Sequence, residues 1–185
     1  MMIHSFKTIH REEYASKKQM FDEAHSAYKK KLEKREVKMP VEKTVLFEVP
    51  HARISYIPKA SSNKEAVRDG VLALEWRGDI TDEQYKEAMN KVLEFTYLYN
   101  TTGLLLDAME LGYVSMFARA WLMLDWIPRM QQHQVEHAKL AILRTDAPMH
   151  KVGIDYVISY VQQMMPYECR FYMNKDNAIN WLFRR

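Results

Sequence analysis

Apolar positions change their spacing several times along the chain, and each change marks a predicted element. Between residues 11 and 38, Met20, Phe21, Ala24, Tyr28 and Leu32 recur at three- and four-residue intervals, which predicts a helix with a narrow apolar stripe. Its end, KKKLEKREVK, carries eight charged residues in ten. That composition reads as a solvated helical arm whose stripe lies on the domain or on a second subunit. Pro40 closes the segment. From residue 44 the pattern turns to short β-rich runs, TVLFEV (44–49) and RISYI (53–57), broken by Pro50 and Pro58. A polar connection over 59–70 then leads to VLALEW (71–76), apolar enough for a central strand.

The middle of the chain alternates helix and strand. Thr81 followed by Gln84 forms a capping box, in which hydroxyl and amide each satisfy a backbone N–H. Tyr85, Ala88, Met89, Val92, Leu93 and Thr96 follow at helical spacing. GLLLDAM (103–109) is the next buried strand, and SMFARAWLMLDWI (115–127) is a helix apolar nearly all round, which predicts that it is largely covered. Pro128 should end or kink it. AKLAILR (138–144) and CRFYM (169–173) are further strands, separated by a helix marked by Gly153, Tyr156, Val157, Tyr160, Val161 and Met164. Asn174 caps a last helix carrying Ala178, Ile179 and Leu182. The order is that of an α/β domain, a partly parallel sheet covered by helices, with antiparallel strands at its start. The expected division is a charged helical N-terminal extension over 1–43 and one domain over 44–185.

Composition narrows the class. With 185 residues, 48% of them hydrophobic, the chain can bury one sizeable core. Net charge is +3, and its placement is informative: residues 1–50 carry eleven Lys/Arg against eight Asp/Glu, whereas the remainder carries sixteen of each. A nucleic-acid domain would show a stronger basic stripe, so no nucleic-acid partner is expected. The single cysteine, Cys169, excludes an internal disulfide and suits a reducing compartment. The opening MMIHSFKTIHREEY lacks the apolar core of a signal peptide. The longest apolar run, AWLMLDWI, is far shorter than the roughly 20 residues that span a bilayer. A cytoplasmic protein with at most peripheral membrane contact is expected.

Several stretches taken in order, LEWRGDITDEQY, LLLDA, WLMLDWIPR, KLAILR and FYMNKDNAINWL, resemble the STAS-like proteins related to anti-sigma factor antagonists, over roughly residues 44–183. Trp76, Gly78, Thr81, Tyr85, Asp107, Trp121, Trp126, Pro128, Arg129, Phe171, Ala178, Trp181 and Leu182 stand at the matching places. The resemblance implies a mixed sheet of about five strands with helices packed on it, and a generally non-catalytic module that docks on protein partners. It also implies kinship with CRAL-TRIO carriers, which hold apolar ligands. Phosphorylated antagonists carry an Asp-Ser-Ser-Gly-like turn at the start of their second helix. This chain has GYVSMF there: Ser115 sits near the switch position without the neighbouring acid, second serine or glycine. Ser115 reads better as a helix N-cap.

Candidate chemistry is sparse. Asp107 lies where open sheets bind ligands, as a site acid or as the cap of the next turn. Trp121, Trp126 and Phe117 are core residues or the lining of an apolar pocket. Arg129, just past Pro128, has the chemistry to pair an anionic headgroup, a phosphate, or simply a surface acid. HQVEH (133–137) matches the H-x-x-E-H pattern of inverted zinc peptidases, but Glu168 is the only downstream glutamate, so neither a metal nor any cofactor is expected. No G-x-G-x-x-G, Walker loop or G-x-S-x-G occurs.

The expected protein is therefore a non-enzymatic regulatory or protein-interaction module whose partner is another protein or a second copy of itself, as a homodimer. The alternative is a carrier or sensor of a small apolar, lipid-like ligand. The expected surface is the loop 107–115 with the first turns of the following helix, and the candidates on it are Asp107, Ser115, Trp121, Trp126 and Arg129.

Overall fold

The computed structural model describes residues 40, 42–59, 70–99, 101, 103–132, 139–144 and 167–184, all within one compact unit, Lys38–Arg185. The predicted arm over 11–38, the HQVEH segment and the helix marked by Gly153 to Met164 lie outside these residues.

Six strands form one sheet whose spatial order is the chain order: β1 (Thr44–Val49), β2 (Ala52–Pro58), β3 (Gly70–Gly78), β4 (Gly103–Leu111), β5 (Lys139–Leu143) and β6 (Glu168–Tyr172). The first three pair antiparallel and the last four parallel. This is the mixed α/β sheet expected, with one strand more than the resemblance implied. A two-residue turn, Pro50-His51, joins β1 to β2, bringing Val49 opposite Ala52; proline pre-sets the backbone there.

Burial on both sides explains the continuous apolar runs. On β3, Leu72, Leu74 and Trp76 join one core cluster, whereas Val71 and Ala73 join a second. Side chains alternate across a strand, so the two clusters lie on opposite faces of the sheet. The first face is covered by α1 (Asp82–Tyr99), which buries Tyr85, Ala88, Met89, Val92, Leu93 and Thr96. Its capping box forms as predicted: Thr81 N–H donates to Gln84 Oε1 at 2.9 Å and Gln84 N–H to Thr81 Oγ1 at 3.3 Å. The second face is covered by α4 (Lys175–Leu182), capped by Asn174, which accepts from Asn177 N–H at 3.0 Å. Ala178, Trp181 and Leu182 of α4 join Leu105, Ala141 and Leu143.

Of the two outcomes expected at Pro128, an end or a kink of the predicted helix 115–127, the end does not occur. The helix runs as α2 (Met116–Trp121), a π-helical segment (Leu122–Trp126) and α3 (Ile127–Gln132). Ile127 N–H reaches back to Leu122 O, the five-residue bond of a π-turn. Proline lacks an N–H and its ring crowds the carbonyl four residues back; a widened turn just before Pro128 accommodates both, so the helix continues. Nor is the helix largely covered. Ala118, Leu122, Trp126 and Ile127 are buried, but Met116, Phe117 and Leu124 are 67, 74 and 77% exposed. An apolar sequence all round predicts burial only if something packs on every side, and here one side is left open.

Candidate functional site

The carboxyl ends of β3 and β4 are tied together. Gly78 closes β3 with φ at 67°, a left-handed conformation that glycine adopts without strain. Its carbonyl accepts from Gly112 N–H at 2.9 Å, and Asp79 Oδ1 accepts from Tyr113 N–H at 3.1 Å. Gly112 sits so close to Asp79 that a Cβ there would collide with the carboxylate. Three residues after Gly112, Ser115 is the N-cap of α2: its hydroxyl accepts from Ala118 N–H at 3.0 Å and donates to Asp82 Oδ1 at 2.5 Å. The loop 112–115 is thus fastened to the start of α1 at two aspartates.

On this fastened loop stand large apolar side chains with solvent on them. Tyr113 is 67% exposed, and Met109 at the end of β4 is also exposed. With Met116, Phe117 and Leu124 they make an apolar surface that continues from the loop along the outer side of α2. Ala118 and Leu122 face inward on the same helix. Sequence reasoning placed a surface on the loop 107–115 and the first turns of this helix, a range that takes in Tyr113 and Met116 without singling them out, read Phe117 as core or pocket lining, and did not pick out Leu124. The signal was the 116, 117, 120, 124 spacing, an apolar stripe beside the inward one.

Trp121, Trp126 and Arg129 lie farther along and are committed internally. Trp126 is buried, and its indole N–H donates to Met89 O at 2.7 Å. Trp121 is half-buried, edge-on to Tyr85, whose ring stacks on Trp76 at 5.3 Å. Burial pushes the Tyr85 phenol above its ordinary range. Arg129 lies over the Trp121 ring at 5.6 Å, pairs with Asp125 at 2.7 Å and donates to Asn90 Oδ1 at 2.7 Å. The surface-acid pairing considered for Arg129 is the one present.

Asp107 is on the other face. β4 runs beyond it to Leu111, so it does not end the strand. Its Oδ1 accepts from Met109 N–H at 3.2 Å, which is the turn-capping contact, and its Oδ2 lies 3.4 Å from Lys175 Nζ at the start of α4. Asp107 is in register with Glu75 on β3, and Lys175 also pairs with Glu75. Arg53 adds a longer contact to Glu75 at 4.0 Å and pairs with Glu48. Burial disfavours the charge on Glu75, but the hydrogen bond and charge of Lys175 outweigh it, leaving the carboxyl below its ordinary value. Burial likewise opposes the charge on Lys175, and Glu75 with Asp107 overcomes it, raising the ammonium. Each carboxylate of this cluster has a cation beside it, the arrangement of a clamp. Sequence reasoning missed Glu75 and Lys175, although a lone acid in VLALEW was a visible sign.

The five candidates therefore do not form one site. Ser115 stands in the fastened loop, Trp121 and Arg129 stack beside α1, Trp126 is core, and Asp107 belongs to the α4 face. Among the described residues no group of three His, Cys, Asp or Glu side chains has the geometry to hold a metal ion. Burial pushes the Cys169 thiol up to about 11, which suppresses the reactive thiolate. No described helix is long and apolar enough to cross a membrane.

A family model described as SpoIIAA-like matches residues 71–183, from β3 to the end of α4. The chain belongs to the SpoIIAA-like family. The β1–β2 hairpin precedes the matched region of this SpoIIAA-like chain. A solved structure similar to it is an uncharacterised protein from the DUF3478 family with a SpoIIAA-like fold from Shewanella loihica PV-4. That protein is 24% identical, with 74% of this chain and 98% of that chain covered and a TM-score of 0.47. A comparison with curated proteins gave no match.

Proposed function

We propose that the chain is a non-catalytic, STAS-like interaction module of the cytoplasm that docks a partner protein on the loop 112–115 and the outer side of α2. The observation that carries this reading is the exposure of Tyr113, on a loop held by Asp79 and Asp82, and of Met116, Phe117 and Leu124 along the helix that follows it. Scattered exposed apolar residues are ordinary, but a contiguous set on a rigid support is typical of interaction sites. Rigidity matters because a pre-ordered surface loses little freedom on binding. The alternative, an apolar-ligand carrier built around Trp121 and Trp126, has less support. Trp126 is spent on the core and on Met89, and the Trp121 ring carries the Arg129 guanidinium.

The test is site-specific. A photo-reactive amino acid is placed at position 117 and, as a control, at exposed Asp176 on α4, and the cross-linked species are identified. The partner so found is then purified and titrated against the wild type and Phe117→Lys. Position 117 should cross-link to a defined protein that position 176 does not reach, and Phe117→Lys should weaken binding about tenfold or more. Equal cross-linking at both positions, or a titration indifferent to Phe117→Lys, would defeat the reading.

A further inference from the structure

We infer that the segment seated on this surface is a cationic amphipathic helix of the partner protein, an inference that rests on the docking reading above and adds the chemistry of what docks. Two features of the surface point to it, its shape and the charge of its border.

The shape is a ridge. Met116, Phe117, Ala120 and Leu124 follow one another along a helix, so they cover about 12 Å at a rise of 1.5 Å per residue. Tyr113 and Met109 extend the ridge onto the loop and the end of β4. A helical ridge is met most closely by the side-chain rows of another helix, whose apolar residues at i, i+3, i+4 and i+7 fall on one side. An extended peptide would instead seek backbone partners, and the outer side of α2 has its backbone hydrogen bonds within the helix.

The border is acidic where the ridge begins. Asp79 and Asp82 reach the loop itself, at Tyr113 N–H and the Ser115 hydroxyl. Glu83 follows Asp82 in the first turn of α1. The donors that Asp79 and Asp82 meet are neutral, so their negative charge is left to act outward. The cations on this side are Arg119, whose Nε donates to Ser115 O at 3.4 Å, and Lys86, whose Nζ lies over the Trp121 ring at 6.0 Å. Apolar contact that begins beside three carboxylates fits a helix whose apolar stripe is bordered by lysine or arginine. The same border repels an anionic lipid surface, since like charges brought together lose affinity.

The experiment uses the full chain and two synthetic helical peptides that share one leucine stripe, one flanked by lysines and the other by glutamates. Binding is followed by fluorescence anisotropy, with circular dichroism confirming that each variant keeps its fold. The lysine peptide should bind about tenfold more tightly than the glutamate peptide, and the preference should shrink as salt rises. Glu83→Lys should remove most of the preference, and Phe117→Ser should weaken both peptides. If the two peptides bind equally and both depend on Phe117, the docking surface stands and the cationic inference falls. If the lysine peptide binds Phe117→Ser as well as it binds the wild type, or does not bind the wild type, the inference falls as well; cross-linking from position 117 then judges the docking surface separately. Phe117-dependent binding to phosphatidylcholine–phosphatidylglycerol vesicles in preference to the lysine peptide would overturn it in favour of a membrane.

Discussion

The Ser115 hydroxyl donates to Asp82 Oδ1 at 2.5 Å while it accepts from Ala118 N–H at 3.0 Å, so one side chain joins the start of α2 to the start of α1. Both hydrogen-bonding functions of the hydroxyl are in use, and a phosphate placed there would meet a carboxylate. Ser115→Ala loses the cap and should cost about 1 kcal/mol in urea unfolding. Ser115→Asp should cost more than Ser115→Ala, because an aspartate that can cap is set against Asp82. Adding Asp82→Asn should recover the difference. A Ser115→Asp protein as stable as the wild type would mean the contact carries no weight.

Trp126 hangs on a single polar contact inside an otherwise apolar site. Trp126→Phe keeps much of the ring but leaves Met89 O without its indole donor, at an expected cost of about 1–3 kcal/mol. Equilibrium denaturation measures it, with an unchanged far-ultraviolet spectrum showing that the fold is intact. A loss below the error of the method would relegate the bond to a by-product of packing.

The Glu75–Lys175–Asp107 cluster sets a pH dependence. The Glu75 carboxyl is held below its ordinary value of 4.5, so its contribution is complete above that value and is lost as pH falls through the folded-state value. Lys175 is raised above 10.5, so its contribution is complete below that pH and is lost as pH rises through its folded-state value. Lys175→Met should therefore cost stability between 4.5 and 10.5, by about 1 kcal/mol given the solvent around the pair. The gap from the wild type should close near the acid end of the range. Thermal melts of both proteins across pH measure this, and a gap that does not narrow in acid would assign the loss to packing instead.

Gly112 is constrained by what stands next to it. In Gly112→Ala the new methyl group meets the Asp79 carboxylate, which has to leave Tyr113 N–H. The expected cost is about 1–3 kcal/mol, as for other overpacked positions, together with faster hydrogen exchange at the Tyr113 amide. Unchanged exchange there would show that the loop does not depend on Asp79.

Local rules made much of this fold legible. Thr81 with Gln84 and Asn174 with the turn after it act within a few residues, and their caps form where the sequence places them. The apolar runs 71–76 and 103–109 became neighbouring central strands because each is apolar on both faces. What the sequence hid depends on distant residues. Asp107 meets a lysine 68 positions away, and no spacing rule relates the two. Phe117 and Leu124 look like core side chains by type, yet burial depends on whether a neighbouring element arrives on their side of the helix. Pro128 reads as a stop or a kink, and the π-turn that lets the helix pass it is a backbone adjustment with no composition of its own.

The identity of spatial and sequential strand order has a bearing on synthesis at the ribosome. Each strand that emerges finds the strand it pairs with already made, beginning with the β1–β2 hairpin and ending with β6 against β5. The sheet can grow from one edge as the chain lengthens, without waiting for a late strand to be inserted between earlier ones. Helices close backward instead: α1 folds over β2 and β3, and α4 over β4 and β5. A nascent chain halted before α4 would carry the sheet with Leu105, Ala141 and Leu143 uncovered, and that species is the one most exposed to aggregation during translation.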